Sequence, residues 1–99
     1  MRIPKVVNIL GHDYKVIWVD PSKLLAGRIA ECEFPTRVIR MSLEIKSSKY
    51  MAWICFLHET KHAQQYESGL SQILDSQAME LDAESFVSFI TSLKKQRVI

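Results

Sequence analysis

The hydrophobic pattern changes period near Ser47-Ser48, and that change decides which folds are open to the chain. Before it, apolar residues alternate with polar ones in short runs; after it, they recur at three- and four-residue steps. Residues 5–10 (KVVNIL) and 13–19 (DYKVIWV) are β-rich. Gly11-His12 stands between them, and glycine at the first central position suits a tight hairpin turn. Asp20-Pro21-Ser22 closes the second run, as a turn or as the start of a short helix reaching Ala26 before Gly27. Residues 28–34 (RIAECEF) place Ala30, Cys32 and Phe34 on one face, with Glu31 and Glu33 on the other. In residues 37–42 (RVIRMS), Ile39 and Met41 oppose Val38 and Arg40, and Pro35-Thr36 reads as the intervening turn. The first half is therefore expected to be a small antiparallel sheet, a four-stranded meander with one wet face.

After Ser47 or Ser48, either of which can cap a helix, the run YMAWICFLHETKHAQQYE continues to Gly69, a natural C-terminal stop. Its apolar residues Met51, Trp53, Ile54, Phe56 and Leu57 lie nearly all round, as in a helix buried on most sides. Asp75 or Ser76 can cap a second helix over residues 77–95, where Met79, Ala83, Phe86, Ile90 and Leu93 form one stripe. The fold class is α+β, and 99 residues fit a single domain, 1–99. Net charge is +2 with basic and acidic residues interspersed, which disfavours a nucleic-acid partner. No stretch approaches the roughly 20 apolar residues of a membrane span, and the N-terminus lacks a signal-peptide core. Two cysteines, Cys32 and Cys55, make no disulfide framework, so a cytoplasmic protein with reduced thiols is expected.

The chemistry sits in His58-Glu59-Thr60-Lys61-His62, HETKH. On a helix, residues four apart differ by about 40° around the axis, so His58 and His62 present two imidazoles on one side, one turn apart. Glu59, about 100° from His58, stands beside any ion that they hold, where a base belongs. The plainer alternative is a helix with two partly exposed histidines and a surface glutamate. Against it, Ile54, Phe56 and Leu57 make the surroundings apolar, and unpaired imidazoles there are costly. Zinc needs a third protein ligand. Glu80 on the second helix is the candidate, with Glu84 one turn on as a hydrogen-bond partner that would fix a ligand histidine's tautomer. Asp82 lies about 200° from Glu80. A solvated helix flank is the alternative for both glutamates.

HETKH followed by Glu80-Leu81-Asp82-Ala83-Glu84 resembles the gluzincin pattern, HExxH plus E-x-x-(A/S)-(D/E). The short chain is similar to the minigluzincins and to the core of the phage- and mobile-element-associated ImmA/IrrE-type metallopeptidases, whose E-x-E-A-N-x-F is answered by Glu80-Leu81-Asp82-Ala83-Glu84-Ser85-Phe86. Residues 37–42 resemble the strand before the active-site helix. The resemblance spans roughly residues 27–90, and its specific part is the two helical motifs. It implies a zinc metallopeptidase acting on a peptide or protein, with His58, His62 and Glu80 on Zn2+ and Glu59 as general base. It also implies that an edge strand from residues 28–42 binds the peptide by strand addition. The gluzincins' downstream histidine or tyrosine, which stabilises the oxyanion, has no clear counterpart. Tyr66 is the first candidate, with His12 and Tyr14 weaker ones. Cys55 or Cys32 as a silencing thiolate, residues 94–99 as a latency segment in the cleft, and a metal-binding regulatory module without turnover are the remaining expectations.

Overall fold

A computed structural model describes residues 2–97. β1 (Val6–Ile9) and β2 (His12–Val19) pair antiparallel, with Ile9 opposite His12. Only Leu10 and Gly11 remain for the turn, at φ 51° and 90°. Two positive φ angles define the primed turn whose twist matches paired strands. Gly11 thus takes the second central position, not the first, and His12 joins the strand. Asn8 Oδ1 braces the turn by accepting from the Gly11 N–H at 3.1 Å.

The sheet is four-stranded but not a meander. β3 (Ala30–Glu33) and β4 (Val38–Ser42) form an antiparallel pair, and β4 lies parallel to β2, giving the order β1-β2-β4-β3. The sheet is therefore mixed, which corrects the antiparallel expectation. The reason is burial. Ile39 and Met41 on β4 are fully buried, whereas every residue of β3 is only half-buried. The more apolar strand takes the centre, and residues 20–29 carry the chain past it to the far edge. Strand pairing between β2 and β4 is set by that long-range choice and not by local sequence.

Tyr14, Val16, Ile39 and Met41 line one face of the sheet and pack against Cys55, Phe56 and Ala63 of α1 (Lys49–Glu67). Burying each of the larger side chains contributes about 1.5–3 kcal/mol. On the opposite face Arg40 pairs with Glu33 at 2.7 Å and Glu31 at 3.7 Å, so that face is wet, as the alternation requires. Ser48 caps α1 by accepting from the Met51 N–H at 3.3 Å. α2 (Ser76–Lys95) is capped by Asp75, which accepts from the Ala78 N–H at 2.7 Å, and it buries Ala83 and Val87. α1 runs between the sheet and α2, which explains apolar residues on most of its circumference. No described helix is long and apolar enough to cross a membrane.

A polar latch closes the end of α1 onto the sheet. The Glu67 carboxylate accepts from the Tyr14 hydroxyl at 2.6 Å and from Arg37 Nε at 2.7 Å, and His12 stands 3.6 Å away. Its side chain is 5% exposed. The hydrogen bonds from Arg37 and Tyr14 hold its pKa down, to about 2.

Candidate metal centre

α1 and α2 meet where the histidines of one face the first turns of the other. His58 Nε2 and His62 Nε2 are 3.1 Å apart. Glu80 completes the triangle, with Oε2 3.2 Å from His58 Nε2 and Oε1 2.8 Å from His62 Nε2. Among the described residues, these three are the group whose donor atoms fall within 4.8 Å of one another. Zinc bonds of about 2.0–2.1 Å in a tetrahedron require ligand atoms roughly 3.3 Å apart, so the observed spacing fits the ion. The side chains are 25%, 16% and 55% exposed for His58, His62 and Glu80, which leaves the point of convergence open to solvent.

Hydrogen bonding fixes what the cluster presents. Gln65 is 1% exposed, and its Nε2 donates to the Met79 carbonyl and to Asp82 Oδ2, both at 2.9 Å. Its Oε1 is therefore the atom 2.8 Å from His62 Nδ1, which must carry the proton and donate. That tautomer leaves a lone pair on His62 Nε2, aimed at the Glu80 carboxylate. Two acceptors at 2.8 Å repel unless positive charge, a proton or a metal cation, lies between them. The donor chemistry thus suits a cation as well as the spacing does.

The partner expected at this position was Glu84, and the structure corrects that. Met79, Asp82, Ala83 and Phe86 make the face of α2 toward α1. Glu80 lies at the edge of that face and Glu84 about 40° further round. Glu84 is exposed and hydrogen-bonds neither histidine. Asp82, expected to point away, reaches α1 through Gln65. Gln65 was missed because a glutamine three residues past His62 reads as helix surface; its burial follows from where α2 docks.

Glu59 is 8% exposed, next to the cluster. Burial pushes its carboxyl up to about 7, with His62 and Arg28 pulling it down and Glu80 pushing it up. A cavity of about 600 Å3 opens on one side of the cluster, against Arg28, Ala30 and Cys55. A second of about 390 Å3 opens on the other, toward Phe34, Tyr66 and Met79. Arg28, Glu59, His62 and Glu80 border both, so the two form one groove across the cluster. Arg28 comes from the connection before β3, and no local pattern marked it.

Tyr66 lines the second cavity with its ring stacked on Phe34, centroids 4.3 Å apart. Tyr14 and His12 are not beside the cluster; both are engaged at Glu67. Cys32 and Cys55 are unpaired and border the groove, but neither joins the ligand cluster. Burial and the neighbouring Glu59 push both thiols up, Cys55 to about 11, so both are neutral at physiological pH. Of residues 94–99, Lys94 sits over the Trp53 ring at 4.5 Å, and residues 98–99 lie outside the described residues.

No family model, curated protein or solved structure matches the chain.

Proposed function

We propose that the chain is a small zinc-dependent hydrolase of peptide bonds. The observation that carries this reading is the convergence of His58, His62 and Glu80 at tetrahedral spacing beside a buried carboxylate, Glu59. Zinc bound there would supply a Lewis acid for the scissile carbonyl and acidify the attacking water. Glu59 is the base: its carboxylate takes the proton from that water and delivers it to the departing amine. Gln65 holds His62 in the tautomer that offers Nε2. The groove on both sides of the cluster suits an extended substrate, and β3, an edge strand bordering it through Ala30, offers backbone groups for strand addition. Two unpaired thiols suit the reducing cytoplasm.

A second reading, a zinc-binding module with little or no turnover, is favoured by one observation. Tyr14 and His12 are tied to Glu67, away from the cluster, so neither is placed to donate to an oxyanion there.

Elemental analysis and a quenched-fluorescent peptide library separate the readings. A hydrolase yields one zinc per chain, loses the ion with Glu80→Ala, and keeps the ion but loses cleavage with Glu59→Gln. Equal cleavage by wild type and Glu59→Gln excludes the mechanism. Zinc without cleavage of any peptide supports the module.

A further inference from the structure

A cavity of about 1000 Å3 lies away from the histidine cluster. It lies at the other end of α1, where the helix begins and leaves part of the sheet uncovered. Val16 and Trp18 of β2 form its floor, and Ile3 and Ala52 its apolar walls. The exposed side chains of Arg2, Lys5, Lys46 and Lys49 make its rim cationic. No acidic side chain among the described residues lines it.

This charge is uncompensated. Elsewhere, Arg37 is paired with Glu67, Arg40 with Glu31 and Glu33, and Lys61 stands near Asp82. None of the four rim cations forms an ion pair with a described residue. Other lysines and arginines also lack an ion pair, but four of the 13 in the chain line this one cavity with no acidic side chain beside them, so positive potential is concentrated there. The first turn of α1 contains no acidic residue, although acids are favoured there, so the positive end of the helix adds to the same field. Lys46 Nζ stands 5.6 Å from the Trp18 ring centroid, which holds one of the charges directly over the apolar floor.

We propose that this groove docks an acidic peptide segment of a partner protein, with an apolar side chain set on Val16 and Trp18 and carboxylates against the four cations. The floor selects the class of ligand. A concave apolar pocket is filled by a side chain, whereas a phosphate backbone would use only the rim and a flat lipid surface would not reach the floor. The site is separate from the histidine cluster, since Lys49 precedes His58 by nine residues, ~13.5 Å along the helix. Its occupancy does not depend on zinc.

The test uses the full chain and a fluorescein-labelled ten-residue peptide alternating glutamate and leucine, read by anisotropy. Saturable binding is expected, weakening as salt is raised. The Lys46→Glu/Lys49→Glu double variant, changed at two exposed positions, should bind about tenfold or more weakly while melting as wild type does. A glutamate–serine peptide should also bind about tenfold more weakly, since it cannot use the floor. Absence of saturable binding overturns the proposal, as does equal binding by the double variant or by a lysine–leucine peptide. Equal or tighter binding of polyphosphate, single-stranded DNA or phosphatidylserine vesicles overturns it too, by showing an anion site without preference for a peptide.

Discussion

At the scale of single residues, Gln65 does the most with the fewest atoms. Its amide is oriented by two acceptors, so it leaves His62 one tautomer, and through Met79 it holds the turn of α2 that carries Glu80. Replacing it by leucine frees the imidazole to rotate and takes one hydrogen bond from Asp82, which keeps Lys61 at 3.8 Å. Zinc affinity should fall about 10–100-fold, measured by competition with a chromogenic chelator. An unchanged affinity would mean that packing alone sets the ring. Tyr66 poses the other residue-scale question. If its hydroxyl donates to the oxyanion, Tyr66→Phe lowers kcat by ~10²–10³ with KM and zinc content unchanged. If the tyrosine serves only its stack on Phe34, phenylalanine keeps that stack and kcat stays put. The same residues show what a sequence reading reaches. That His58 and His62 share a face was legible because spacing along one helix places side chains, and Glu80 was one of two carboxylates that the second helix offered. Gln65 and Arg28 were not legible, because their roles depend on which faces dock and where a loop returns.

At the scale of elements, the informative join is between α1 and the sheet. Glu67 is the last residue of α1 and receives hydrogen bonds from β2 through Tyr14 and from the β3–β4 turn through Arg37. Its folded pKa lies below its unfolded value, near 4.5, so the native state prefers the carboxylate. The latch is at full strength above about pH 4.5 and is lost as pH falls toward about 2. Acid unfolding followed by circular dichroism should show this loss, and Glu67→Gln should flatten that part of the profile. A profile unaltered by the substitution would assign the acid sensitivity to other carboxylates. Both helices were legible, and each cap to within two residues, since caps are local; the structure takes Ser48 over Ser47 and Asp75 over Ser76. Strand order was not, because alternation places residues on faces but says nothing about neighbours. The burial contrast between β4 and β3 offers a check: Met41→Ala should cost about 2–5 kcal/mol in urea unfolding. Cys32→Ala, on the half-buried edge strand, should cost clearly less.

At the scale of the whole molecule, the candidate ligands are divided between two helices, joined by the Gln65 hydrogen bonds, the Lys61–Asp82 pair and a small buried seam. His58 and His62 belong to α1, which the sheet holds, while Glu80 belongs to α2, which buries only Ala83 and Val87. An ion bound by all three would tie the outer helix to the core, and binding free energy would appear as folding free energy. With free zinc at 100 times its dissociation constant, the native state gains about 2.7 kcal/mol. In a domain of about 100 residues each kcal/mol moves Tm by roughly 4–8 °C, so the expected shift is roughly 10–20 °C. Calorimetry with zinc and then with excess chelator measures it directly. Glu80→Ala should remove most of the shift while changing the metal-free Tm little, because Glu80 is more than half exposed and its loss opens no cavity. Glu59→Gln should retain the shift, since Glu59 stands beside the ligands and is not one of them. A zinc-induced shift that survives Glu80→Ala would place the ion on the two histidines of α1 alone. The second helix would then be a cover for the site rather than part of it.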